Sequence, residues 1–190
     1  CKNQLLNNMS IPATALPELI TSRLILNQVQ IEDAAQVFIL RTDKLVNKYV
    51  DLPETPNEAA AANFIHKVND YNLQNKGRYW AIRLKDNPRL IGSICLWNFD
   101  DITNTAELGF TLLTDYWRKG YMQEALQCVL QYGFDDLHLT KIDGWTHQLN
   151  EASIGLMEKV GFTRNFELEK QAIVDESEKH MVIYTILNQH

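Results

Sequence analysis

Residues Ala106 to Glu124 read Ala-Glu-Leu-Gly-Phe-Thr-Leu-Leu-Thr-Asp-Tyr-Trp-Arg-Lys-Gly-Tyr-Met-Gln-Glu, a run that sets a potential general base beside a potential anion-binding loop. An apolar strand run carrying one carboxylate, Glu107, turns through a short basic loop into an amphipathic helix. From Met122 the apolar positions Ala125, Leu126, Val129, Leu130, Gly133, Phe134 and Leu137 fall on one helical stripe, so the helix begins near Gly120. A glycine in the first turn lets a ligand come close to the backbone. The unpaired N–H groups and the positive dipole end then point outward beside Arg118 and Lys119, which makes a cradle for phosphate or pyrophosphate. Any strand, tight turn and helix of an α/β domain shares this outline, so the stretch by itself leaves both readings open.

A second segment, Asn150 to Phe162, reads Asn-Glu-Ala-Ser-Ile-Gly-Leu-Met-Glu-Lys-Val-Gly-Phe. Together the two stretches resemble the GNAT superfamily of N-acyltransferases, which use acetyl-CoA. Within it they look most like the branch containing the ribosomal-protein serine/alanine N-terminal acetyltransferases. The matching pieces are Ala106-Glu107-Leu108-Gly109-Phe110, Tyr116-Trp117-Arg118-Lys119-Gly120-Tyr121, Glu124-Ala125-Leu126, and Asn150-x-x-Ser153 followed by Glu158-Lys159-x-Gly161-Phe162. The similarity runs from about Thr21 to Asn188. Four ordered pieces speak to the superfamily and say little about substrate.

The resemblance implies an N-acetyltransferase that moves the acetyl group of acetyl-CoA directly to a primary amine. By it, backbone groups of Arg118, Lys119, Gly120, Tyr121, Met122 and Gln123 hold the pyrophosphate. The strand end at Phe110, Thr111 and Leu112 pairs with the pantetheine arm, a backbone N–H facing the thioester oxygen, and Asn150 contacts the same arm. Glu107 stands where a glutamate often acts as general base, and desolvation in a cleft would raise its pKa usefully. Where many relatives carry a thiolate-protonating Tyr, this chain has Met157, so Ser153 becomes the candidate acid. Each residue also has a plain structural reading: Glu107 as a surface carboxylate on an alternating strand, Ser153 as a first-turn residue, Asn150 as a helix cap. Met122 departs from the usual Gly or Ala two residues after Gly120, which narrows the cradle. Trp117 replaces a frequent Arg or Gln.

The resemblance leaves the acceptor open between a protein N-terminal α-amine and a small amine such as a polyamine or antibiotic. A non-catalytic CoA-binding module of the same fold is the rival reading. An α-amine, with a pKa of about 8, is partly neutral at pH 7, whereas an aliphatic amine of about 10 demands a stronger base. That favours the α-amine, or another amine of unusually low pKa.

Composition narrows the field. At 190 residues the chain is one domain, read as a flexible lead-in over 1–20 and an N-acetyltransferase domain over 21–190. A net charge of −6 argues against a nucleic-acid groove and suits a cationic acceptor. Cys1, Cys95 and Cys128 are scattered, and His66, His138, His147, His180 and His190 have no metal-ligand spacing, so neither a disulfide framework nor a metal site is expected. No apolar run is long enough to span a membrane and no secretory segment opens the sequence, which reads as cytoplasmic, a monomer or homodimer. The first residue, Cys1, suggests a processed or cut start.

The elements that must position these residues follow in order. Thr21 to Leu26 reads as an edge strand. Glu32 and Asp33 open a helix with Ala34, Ala35, Val37, Phe38 and Leu40 on its apolar positions, and Thr55-Pro56-Asn57-Glu58 opens a second, capped by Thr55 and running to about Asn75. In the superfamily these helices and their loop flank the acceptor cleft, which points to Val46 to Glu54 for substrate choice. Tyr79 to Leu84, Leu90 to Trp97 and the Ala106 run form an antiparallel meander. The helix after Gly120 then makes a crossover that requires the Ala106 and Lys141 to Thr146 strands to be parallel. A short helix over Ala152 to Val160 ends at Gly161, and Phe162 to Gln171 with His180 to Asn188 reads as a last hairpin around Asp175 to Lys179. The expected fold is an α/β, single-domain, GNAT-like mixed sheet, mostly antiparallel and twisted, of about seven strands with helices on both faces.

Overall fold

The computed structural model of the chain describes residues 15–50, 53–172 and 178–189. Strand β1 (Leu19–Ile20) pairs antiparallel with β2 (Leu24–Gln28), and a 3-10 turn at Ile31–Asp33 leads into helix α1 (Ala34–Thr42). Helix α2 (Glu58–Leu73) is followed by the meander β3 (Gly77–Leu84), β4 (Asn87–Asp100) and β5 (Thr105–Leu112). Helix α3 (Tyr121–Asp135) crosses over to β6 (Lys141–His147), which runs parallel to β5. Helix α4 (Glu151–Lys159), strand β7 (Thr163–Arg164), helix α5 (Phe166–Ala172) and strand β8 (Met181–Leu187) complete one eight-stranded sheet in the order β1-β2-β3-β4-β5-β6-β8-β7.

Period-2 alternation along the strands divides the core between the two faces. Trp80, Ile82, Ile94, Leu96, Ala106 and Leu108 pack with the stripe of α3, Met122, Ala125, Leu126 and Val129. Ala81 and Leu90, on the opposite face, meet Val37 and Leu40 of α1 and Ala61, Ile65 and Val68 of α2. Leu126 and Val129 are fully buried, and burial of each such side chain stabilises by about 1.5–3 kcal/mol, which holds α3 to the sheet and fixes where its N-terminus lies.

Three local readings are corrected. The strand at Leu24 is not the edge: Leu19–Ile20, inside the segment read as lead-in, pairs outside it, and the Trp80 indole N–H donates to Pro17 O at 2.8 Å. Residues 1–14 of that lead-in lie outside the described residues. The cap of α2 is Asn57, whose side chain accepts from the Ala60 N–H at 2.9 Å, while the Thr55 hydroxyl instead accepts from Arg41 Nε at 2.9 Å. Most of 162–171 is not a hairpin strand but α5. The Asn165 side chain accepts from the Leu168 N–H at 3.0 Å, and Glu167 and Glu169 sit in the first turn, where the helix dipole favours carboxylates. The Glu169 carboxylate accepts from the Ile183 N–H at 2.9 Å, so the helix meets a backbone donor of β8 that a strand would otherwise have paired. Residues 173–177 of the expected turn lie outside the described residues.

Candidate active site

The parallel pairing of β5 with β6 covers Thr105 to Leu108 against Lys141 to Gly144 and stops, although β5 continues to Leu112 and β6 to His147. The strands therefore part beyond Leu108 and Gly144. The Leu113 N–H donates to Ile91 O at 2.9 Å, which sets the phase of the antiparallel ladder. Thr111 and Gly109 share that phase and turn their backbone groups to β4, whereas Phe110 and Leu112 turn theirs into the opening. Leu112 O there already accepts from the Trp117 indole at 2.7 Å, so Trp117 braces the strand end. The N–H and C=O of Phe110 are thus the groups placed for an added extended chain, and the Thr111 hydroxyl is engaged by Ser93 at 2.9 Å.

The loop after β5 brings the helix end to the same opening. Gly120 caps α3 with φ of 79°, a left-handed conformation that costs a side chain but not glycine, and Arg118 is also left-handed at φ of 59°. The first intrahelical bond runs from the Glu124 N–H to Gly120 O at 3.1 Å, which leaves the N–H groups of Tyr121, Met122 and Gln123 outside the ladder. Arg118 and Lys119 are exposed beside them. The Met122 side chain does not crowd this loop: it is 7% exposed and belongs to the main core.

Alternation carries Glu107 to the face away from α3. It stands level with Trp97 of β4 on one side and Asp143 of β6 on the other, and its Oε1 accepts from Asn98 Nδ2 at 2.7 Å. Burial raises its pKa first of all. The Asn98 hydrogen bond opposes that, the Asp143 carboxylate adds to it, and Lys141 opposes it. Asp143 is held in turn by Lys141 Nζ at 2.6 Å and by the Thr185 hydroxyl at 2.5 Å. Asn98, Lys141 and Asp143 were not singled out from the sequence. The signal that could have found Asp143 is the parallel register, which puts it level with Glu107 once the crossover is accepted. Trp97 is 49% exposed next to Glu107, while Phe99 packs on the main core.

Helix α4 begins beyond the other arm of the opening. Asn150 is its cap, its Oδ1 accepting from the Ser153 N–H at 3.3 Å, and the Ser153 hydroxyl makes no hydrogen bond among the described residues. Met157 is 1% exposed, and a Cβ on Gly144 would lie 2.5 Å from its sulfur, so this side chain fills the space over Gly144. The end of β6 gathers three rings the sequence did not connect: His147 stacks on Tyr49 at 5.4 Å and on His180 at 5.6 Å. Tyr49 comes from the segment expected to govern substrate choice, of which residues 51 and 52 lie outside the described residues. The two described cysteines are poor nucleophiles. Burial pushes the Cys95 thiol up to about 12, with a Gly109 backbone hydrogen bond opposing, and burial also raises Cys128.

An opening between parallel strands, free backbone groups on one arm and a helix N-terminus at its end fit a long ligand with a phosphate group and an extended amide arm. A family model for the acetyltransferase (GNAT) domain matches residues 23–163, and the chain belongs to this family. It is an N-acetyltransferase with acetyl-CoA as acetyl donor. Among curated proteins it is similar to the uncharacterized N-acetyltransferase p20 of Bacillus licheniformis, 31% identical over 163 residues, which covers 83% of this chain and 91% of the relative. Among solved structures it is similar to a GNAT-family acetyltransferase from Bacillus anthracis at a TM-score of 0.74 and 26% identity, covering 92% of this chain and all of the other. It shares the fold of RimL, a ribosomal L7/L12 alpha-N-protein acetyltransferase solved with coenzyme A, at a TM-score of 0.74 and 16% identity, covering 92% and 98%. No described helix is long and apolar enough to cross a membrane.

Proposed function

We propose that the protein acetylates a primary amine by direct transfer within a ternary complex, with Glu107 as general base and a peptide N-terminal α-amine as acceptor. Bound acetyl-CoA supplies the thioester carbonyl that the amine attacks and the sulfur that leaves. The N–H groups at Tyr121, Met122 and Gln123, with Arg118, Lys119 and Gly120, hold the pyrophosphate, and Phe110 with its neighbours Thr111 and Leu112 lines the pantetheine arm. The Phe110 N–H, turned into the opening, would favour the negative charge that develops on a thioester oxygen placed there. Glu107 takes one proton from the ammonium so that the neutral amine attacks, and the second proton that the nitrogen sheds as the amide forms passes to solvent. Ser153 gives its hydroxyl proton to the leaving sulfur and regains one from solvent, while Asn150 fixes the start of α4 and meets the arm through its amide.

The observation that carries this reading is the half-buried Glu107 carboxylate beside the parting strands, pushed towards a useful base by burial and by Asp143. The peptide assignment draws on the net charge of −6, on the easier deprotonation of an α-amine, and on the fold shared with an alpha-N-protein acetyltransferase. A thiol-release screen tests it, setting peptides that begin with Ser, Ala or Met against spermidine, aminoglycosides and free amino acids. The peptides should lead in kcat/KM. A preference for polyamines or antibiotics would move the acceptor to a small amine, and cofactor binding with no thiol release from any amine would make the protein a binding module.

The acid has its own test. Ser153→Ala should lower kcat by about tenfold or more where chemistry limits turnover, with the KM for acetyl-CoA little changed. An unchanged kcat under that condition would assign thiolate protonation to water or another group.

A further inference from the structure

A second carboxylate, Glu124, stands in the first turn of the helix that would receive the pyrophosphate. Glu124 at that place opposes an anionic ligand unless it is neutralised. Its Oε1 accepts from the Ser22 hydroxyl at 2.9 Å, the Arg23 N–H at 2.8 Å and the Thr21 hydroxyl, and its Oε2 accepts from Arg23 Nε at 2.7 Å. Burial would raise this carboxyl, but the hydrogen bonds from Thr21, Arg23 and Ser22 outweigh it and bring it down to about 2, so Glu124 is charged at every working pH.

The same guanidinium reaches the loop. Arg23 Nη1 donates to Lys119 O at 3.0 Å, the carbonyl just before Gly120, and its Cζ lies over the Tyr121 ring, 4.6 Å from the ring centroid. Its Nη2 is the nearest atom to the place a Cβ on Gly120 would occupy, at 3.4 Å. One planar side chain from the β1–β2 turn therefore spans the loop from Lys119 to Tyr121 and the first turn of α3. It draws the Lys119 carbonyl to itself and cancels the Glu124 charge.

We propose that Arg23 is a positioning residue for the cofactor's pyrophosphate: with Glu124 it fixes the Lys119-Gly120 turn and neutralises the one carboxylate in the first turn of α3. This rests on the reading of residues 118–123 as the pyrophosphate site. A purely structural clamp would damage binding of any acetyl donor alike. A phosphate-directed one affects only donors that carry the pyrophosphate, and it depends on the charge of Glu124.

The test compares KM for acetyl-CoA and for S-acetylpantetheine, which lacks the pyrophosphate, in the full chain. In the wild type acetyl-CoA should have the much lower KM. Arg23→Ala should raise that KM about tenfold, leave saturating kcat within about twofold and leave the acetylpantetheine KM unchanged. Adding Glu124→Gln should recover about threefold of the loss by removing the exposed carboxylate. Arg23→Lys should stay impaired, because an ammonium cannot bridge both acceptors and cover Tyr121. Equal losses with both donors, or no recovery in the double variant, would overturn the proposal. A wild type that binds both donors equally would overturn the pyrophosphate reading beneath it.

Discussion

Glu107→Gln should lower kcat/KM by about 10²- to 10⁴-fold at neutral pH while leaving the affinity for acetyl-CoA within a few-fold. The amide keeps the shape and the Asn98 contact but cannot accept a proton from the acceptor. The folded-state pKa of Glu107 lies above its ordinary 4.5, so the base form is lost as pH falls through that raised value, and the acid limb of kcat/KM should stand above 4.5. Asn98 donates to the carboxylate at 2.7 Å and so lowers its pKa. Asn98→Ala should move the acid limb to still higher pH. A profile unmoved by Asn98→Ala, or full activity of Glu107→Gln across pH 6 to 9, would remove Glu107 from the base role.

The second large effect is on stability. Asp33, at the start of α1, and Arg83, on β3, form a buried two-pronged pair with contacts of 2.9 and 2.6 Å. Asn27 Oδ1 and Pro88 O also accept from Arg83, at 2.9 and 2.6 Å, and the Gln30 N–H donates to Asp33 at 2.8 Å. Asp33→Ala leaves the guanidinium buried without its counter-charge and should cost about 3–5 kcal/mol in denaturant unfolding. Replacing both partners by apolar residues, Asp33→Leu with Arg83→Met, should come within about 1 kcal/mol of wild type, since the desolvation cost disappears with the charges. A single variant as stable as wild type would show that solvent or a neighbour satisfies Arg83 instead. The pair matters to the site because α1 leads into the segment that carries Tyr49 to His147.

Residue patterns of fixed period and the crossover rule made much of this fold legible. The stripe from Met122 placed α3 and its start at Gly120, and the crossover required β5 and β6 to be parallel, which then brings Glu107 level with Asp143. Short-range competition was harder to read. Thr55 and Asn57 are both good caps, and the choice fell to Asn57 because Arg41 engages the Thr55 hydroxyl. Residues 166–172 carry two carboxylates in a first turn after Asn165, a helix signal that the expected hairpin obscured. Met122 looked like an obstruction because sequence spacing gives its place on the helix but not the direction of its side chain into the core. The Tyr49, His147 and His180 stack joins three distant segments with no shared motif, and only the folded chain brings them together.

In the proposed arrangement acetyl-CoA lies between the parting strands with its pyrophosphate on the turn before α3. Calorimetry with acetyl-CoA on the wild type and on Gly120→Trp tests it most directly. The turn holds Gly120 at φ of 79° with Arg23 Nη2 only 3.4 Å from a Cβ at that place, so an indole there both strains the backbone and fills the cradle. Saturable wild-type binding that Gly120→Trp abolishes is the predicted result; no wild-type binding at millimolar cofactor, or equal binding by the variant, would contradict it.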